Sequence, residues 1–121
     1  MNIAKKLIRA AKSAGADCVK FQKSSLTEKF TKSALERPYD SKNSFGKTYG
    51  EHKEFLEFST DEYIELMRFC ENDVNIPMTA SAMDPESVDF LENIKAKSID
   101  VFFDNLSPFH LQMTAHSGRV N

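Results

Sequence analysis

The sequence predicts an α/β fold with a parallel sheet, and three observations carry that expectation. Hydrophobic residues make up 40% of the 121 and charged residues 28%, a globular rather than a disordered balance. A helical stripe, a glycine and a short strand-like run follow one another within the first 23 residues. The same alternation then recurs, so the order is helix, strand, long loop, helix, strand, helix, strand.

Taken in order, Ile3, Ala4, Leu7, Ile8 and Ala11 form one stripe of a helix over residues 3–14. Lys5, Lys6, Arg9 and Lys12 lie off that stripe and suit solvent. Gly15 is a natural stop. The run Asp17-Cys18-Val19-Lys20-Phe21-Gln22-Lys23 reads as a strand. Its period of two puts Cys18, Lys20 and Gln22 on one face. Val19 and Phe21 fall on the other, where helices should pack.

Residues 24–58 are polar and aromatic, broken by Pro38, Gly46 and Gly50, and read as one long loop. A loop of that length is usually functional or disordered, and this one has the composition of a lid or of a segment reaching a neighbouring subunit. Ser59-Thr60-Asp61-Glu62 is a capping box. Tyr63, Leu66, Met67 and Cys70 then repeat at helical spacing, to about Asn72. Ile76 to Ser81 reads as the second strand, with Pro77 tolerable near its start. Asp84 caps a third helix and Pro85 suits its first position. Val88, Leu91 and Ile94 form its apolar stripe, and residues 99–103 suit a last strand.

Right-handed crossovers would join these strands. A closed eight-stranded barrel needs roughly 250 residues. The pattern therefore predicts a partial (β/α)8 TIM barrel, incomplete, with about three strands and their helices. Two open strand edges would leave it marginally stable.

Composition narrows the function. A net charge of −2 argues against nucleic acid or an anionic membrane surface as partner. No run of about 18 apolar residues is present to span a membrane. The basic helix at the start lacks a signal-peptide core, so a cytoplasmic protein is the expectation. Cys18 and Cys70 lack metal-type spacing and read as buried free thiols. His52, His110 and His116 share no metal-ligand spacing, and no phosphate-binding glycine loop or nucleophile elbow occurs.

Lys20, near the C-terminal end of its strand, is the sharpest single feature, because that end of a barrel carries the active site. A lysine there can hold a phosphate or carboxylate as a point charge. It can also form a Schiff base with a carbonyl, as an aldolase does. Otherwise it is an ordinary strand-end lysine with its head in water. Gln22 on the same face offers an amide to a hydroxyl-rich ligand, or to a neighbouring loop. Thr79 and Ser81 share a face of the next strand; their hydroxyls can bind an anion, or simply fit the barrel taper.

Several segments resemble the animal type of the sialic acid synthase family. They are Ala14-Gly15-Ala16-Asp17-Cys18-Val19-Lys20-Phe21-Gln22-Lys23, Ala34-Leu35-Glu36-Arg37-Pro38-Tyr39, the run from Ser44 to Lys53, Leu56-Glu57-Phe58-Ser59, and Thr79-Ala80-Ser81-Ala82-Met83-Asp84. The likeness runs in register from about Asn2 to about Asn93. It implies a barrel followed by a small antifreeze-like domain, acting as a homodimer. It also implies a reaction joining phosphoenolpyruvate to N-acetylmannosamine or its 6-phosphate. Mn²⁺ or Mg²⁺ would polarise the sugar aldehyde.

On this resemblance Lys20 corresponds to the lysine that contacts phosphoenolpyruvate, and Gln22 faces the sugar. The family's second strand-end hydroxyl falls near Thr79 to Ser81, with Ala80 where bacterial members carry Thr. Other parts of the pattern have no counterpart here: the family's first strand with its sugar-binding glutamate, and the metal-ligand histidines. Asp104 stands where the family has a phosphate-binding lysine, and its charge would repel phosphoenolpyruvate. The expected organisation is a partial barrel over residues 1–103, including the long loop 24–58, and a divergent tail over 104–121. The expected functions are synthase-type carbohydrate biosynthesis, a truncated catalytically inactive fragment or subunit-binding product, or a Schiff-base aldolase using Lys20.

Overall fold

The structure, a computed structural model, describes residues 1–96 and the backbone of residues 99–101. Phe102, Phe103, Asp104, His110, His116 and the expected tail 104–121 lie outside the described residues.

Helix α1 spans Asn2–Ser13 and leads through Gly15 into strand β1, Val19–Lys23. Gly15 has φ +86°, a left-handed conformation that a side chain disfavours, and this turns the chain from helix to strand. Helix α5, Thr60–Arg68, runs on into a π-helical turn at Phe69–Val74. Strand β2 is Met78–Ala82, helix α6 is Pro85–Asn93 and strand β3 is Ile99–Val101. The three strands form one parallel sheet in the order β1-β2-β3.

Caps read from the sequence are present. The Ser59 hydroxyl accepts from the Glu62 N–H, and the Glu62 carboxylate accepts from the Ser59 N–H. Asp84 caps α6, accepting from the Ser87 N–H at 2.8 Å, with Pro85 at the first helical position.

Residues 24–58 are not a structureless loop. They contain helices α2, Leu26–Lys29, α3, Lys32–Glu36, and α4, Tyr49–Leu56. The first two are too short to show a periodic apolar stripe. The third begins at a second capping box, Thr48 with Glu51, whose Thr-x-x-Glu signature stands in the sequence. Pro38 and Thr48 pair antiparallel and close the intervening turn. At Gly50 a Cβ would lie 3.0 Å from the Leu35 carbonyl oxygen, so glycine permits the close approach of α3 and α4.

Among the described residues the core lies on one side of the sheet. Tyr63, Ala80, Ala82, Val88 and Leu91 form one cluster between α5, β2 and α6. Ala4, Ile8, Leu66, Phe69, Cys70 and Ile76 form the other, between α1 and α5 with its π-helical turn. Phe21, Phe58 and Met78 pack against both. Lys5 and Arg9 lie over the Phe69 ring, at 5.2 and 4.9 Å from its centroid, and Lys12 Nζ donates to the Asn75 carbonyl. These contacts clamp α1 to the turn.

Two expectations are corrected. Cys18 is exposed rather than buried, because it shares the solvent face of β1 with Lys20 and Gln22; Cys70 is buried, and both thiols are free. Only half of the α1 stripe is used. Ala4 and Ile8 are buried, whereas Ile3 and Leu7 are 75% and 63% exposed. Helix α1 packs towards the π-helical turn, and its other flank is uncovered by the described residues.

The two environments predict different costs. Leu66→Ala, at a site 0% exposed, should lower unfolding free energy by about 2–5 kcal/mol. Leu7→Ala should change it by less than about 0.5 kcal/mol. Denaturant titration of both variants checks the contrast.

Candidate functional site

The β1–β2 register decides which side chains meet. Lys20 pairs with Thr79 and Gln22 with Ser81. Paired residues of neighbouring strands share a face, so all four candidates stand together on the face away from the helices. Lys20 and Gln22 are exposed and Thr79 is half-buried. Ser81 is 4% exposed, flanked by β1 and β3, where its register partner is Asp100. The four therefore offer one cation, one amide and two hydroxyls within two rungs of the sheet.

The β1–β2 ladder beneath this face continues one step past the strands at both ends, and groups from other elements brace its C-terminal end. Val19 N–H donates to the Pro77 carbonyl, and Met83 N–H to the Lys23 carbonyl at 3.0 Å. In a parallel strand the N–H and C=O of one residue point the same way. The odd residues of β1 therefore bond to β2, and the groups of Lys20 and Gln22 point to the outer edge. There the Tyr63 hydroxyl donates to the Gln22 carbonyl at 3.0 Å. Tyr63 is 1% exposed, and burial, then the Glu57 charge, raises its phenol well above the ordinary tyrosine value.

Lys23 lies on the helix-facing side of β1. Its Nζ donates to Glu57 Oε2 at 3.2 Å and to the Phe58 carbonyl at 3.4 Å, and lies 4.7 Å from the Phe90 ring centroid. The strand end is thereby fastened to the junction between α4 and α5. Asp84 makes the third fastening: its Oδ2 accepts from the Ser25 N–H at 2.6 Å.

An apolar cavity of about 420 Å³ lies elsewhere, lined by Tyr63, Met67, Cys70, Ile76 and Leu91 among others. Thr79 is the one candidate residue that it touches. Burial pushes the Cys70 thiol up, which suits an inert core cysteine. His52 is packed between Tyr39 and Phe45, and its Nδ1 accepts from the Phe45 N–H. Among the described residues no three His, Cys, Asp or Glu side chains gather as an ion would require. The described residues by themselves offer no ligand set for the divalent ion that the sequence resemblance implies. No helix among the described residues is long and apolar enough to cross a membrane.

A parallel α/β unit with a lysine, an amide and hydroxyls on its strand faces is the class that fold and site define. The chain belongs to the NeuB family, whose model matches residues 7–115. That match continues past residue 103, where the sequence pattern suggests a boundary. The chain is 52% identical over 120 residues to N-acetylneuraminate-9-phosphate synthase of Homo sapiens, covering 98% of this chain and 33% of that protein. It is 51% identical over 108 residues to the synthase of that name from Drosophila melanogaster, covering 89% and 29%. A more distant relative is N,N'-diacetyllegionaminic acid synthase of Legionella pneumophila, 29% identical over 102 residues, covering 84% and 28%. The chain thus spans about a third of the length of the curated relatives it matches. No solved structure matches it.

Sequence reasoning singled out Lys20, Gln22, Thr79 and Ser81, and the register brings them together. It missed Tyr63 and Lys23 as fastenings and saw Asp84 only as a cap. Their partners lie 41, 34 and 59 residues away, beyond any local signal.

Tyr63→Phe should cost about 1 kcal/mol through loss of the bond to Gln22. The phenol is raised in the folded state, so its stabilising effect is complete below about pH 10, the unfolded value. It is lost as rising pH ionises the unfolded chain. The gap between wild type and Tyr63→Phe should therefore narrow above that pH in alkaline denaturation. A constant gap contradicts the assignment.

Proposed function

We propose that the chain forms the phosphoenolpyruvate-binding wall of a (β/α)8 synthase. That enzyme condenses phosphoenolpyruvate with N-acetylmannosamine or its 6-phosphate. The product is N-acetylneuraminate or its 9-phosphate, and a homodimer is the expected assembly. The observation that carries the reading is the cluster of Lys20, Gln22, Thr79 and Ser81 on one sheet face. Identity of about half to N-acetylneuraminate-9-phosphate synthases supports it. The barrel is supported by the core of the described residues, which lies on one side of the sheet. A doubly wound sheet carries helices on both faces, whereas a barrel wall carries them outside and turns its bare face inward.

Within this reading Lys20 holds the carboxylate or phosphate of phosphoenolpyruvate as a fixed positive charge. Thr79 and Ser81 donate hydroxyl hydrogen bonds to the same anion. Gln22 orients the sugar through its hydroxyls. C3 of phosphoenolpyruvate forms the new bond to the aldehyde carbon. Water adds at C2, and the bond from C2 to the phosphate oxygen breaks, releasing phosphate.

A second reading is a chain that does not turn over but docks on a full-length subunit. The edge position of β1 among the described strands, and the exposed Ile3 and Leu7 of α1, favour that alternative.

Calorimetric titration of the purified chain with phosphoenolpyruvate tests the wall. Lys20→Ala should weaken binding by about 10- to 100-fold, the worth of a charged hydrogen bond of about 1.5–3 kcal/mol. Equal affinity of wild type and variant would refute the role of Lys20. Product formed with added sugar and Mn²⁺ selects the synthase reading. Stable association of the chain with a full-length synthase subunit in analytical ultracentrifugation, without product, selects the docking one.

A further inference from the structure

The β1–β2 ladder ends one step beyond the strands, at the bond from Met83 N–H to the Lys23 carbonyl. Past that point β1 turns through Ser24 and Ser25 into α2, and β2 turns through Asp84 into α6. Backbone pairing cannot follow two diverging chains, yet the spacing of the strand ends must still be held. We propose that Asp84 is a positioning residue. Its carboxylate ties the two strand-end loops, and so sets the distance of Lys20 and Gln22 from Thr79 and Ser81. The proposal rests on the phosphoenolpyruvate-wall reading above.

One oxygen of Asp84 serves each loop. Oδ1 accepts from the Ser87 N–H of its own helix at 2.8 Å, and Oδ2 accepts from the Ser25 N–H at 2.6 Å. The residue is 4% exposed. A helix cap needs one acceptor, which Ser or Thr supplies equally well, and needs no burial. The second acceptor and the burial are what the tie adds. Ser25 is held a second time, its hydroxyl donating to Glu86 Oε2 at 2.5 Å. Asp84 has no part in contacting substrate; it acts through the backbone of both loops.

Asp84→Ser separates the two roles, because serine keeps the cap on Ser87 but is too short to reach Ser25 as well. Amide hydrogen exchange and phosphoenolpyruvate affinity are read on the full chain at a temperature where circular dichroism shows both proteins folded. The Ser25 amide should exchange at least about tenfold faster while the Ser87 amide stays protected. The dissociation constant for phosphoenolpyruvate should rise about tenfold, because small misplacements of binding groups are costly.

Ser25→Pro removes the same donor from the other side and should reproduce the weakened binding, even where Asp84→Ser fails to fold. Ser25→Ala, which keeps the N–H and loses only the Glu86 contact, should weaken binding far less than Ser25→Pro. Unchanged Ser25 exchange in Asp84→Ser overturns the tie. A freed Ser25 amide with unchanged affinity overturns positioning and leaves a simple cap. A wild-type chain that binds no phosphoenolpyruvate refutes the wall reading instead, and the exchange result then decides the tie alone.

Discussion

The parallel pairing of β1 with β2 is the constraint on which the remaining arrangement depends. Side chains alternate along a strand, so register determines both the core and the candidate site. With Phe21 opposite Ala80, the apolar side chains of both strands meet α5 and α6. With Lys20 opposite Thr79 and Gln22 opposite Ser81, the polar side chains meet each other. A slip of one residue would set Lys20 beside Met78 or Ala80, send a charge towards buried Tyr63 and Leu91, and cost both together.

The helices reinforce that register from one side. Small residues on β2 let α5 and α6 approach closely: Ala80 and Ala82 are buried beneath Tyr63, Val88 and Leu91. Polar ties then complete the C-terminal ends of the strands. Tyr63 takes the outward-facing carbonyl of Gln22, Lys23 reaches Glu57 and Phe58, and Asp84 collects N–H groups from two loops. Each tie gives a backbone or charged group at the ladder's end a partner, where leaving it unpaired would be costly. A site needing about ångström precision gains from such bracing, because Lys20 and Gln22 stand on a segment held from three directions.

Much of this was legible in the sequence for local reasons. Helices α1, α5 and α6 have apolar stripes and recognisable ends, and β1 has the alternation that separates Lys20 and Gln22 from Val19 and Phe21. Helices α2 and α3 were not legible, since four or five residues are too few to show a period. Helix α4 carries only a weak stripe, and its Thr48–Glu51 box was the signal to follow. The exposure of Cys18, Ile3 and Leu7 depends on what stands opposite each face, which periodicity does not report. The strand-end ties join residues far apart in the chain and become visible only once the fold brings them together.

The central claim is that one face of β1 and β2 receives phosphoenolpyruvate. Carbon-detected NMR of the methyl groups during a phosphoenolpyruvate titration tests it most directly. The Thr79 methyl should shift strongly, while the Ala80 and Ala82 methyls, buried on the helix side, stay nearly fixed. Shifts concentrated at Ala80, Ala82 and Leu91, with Thr79 unmoved, would contradict the account.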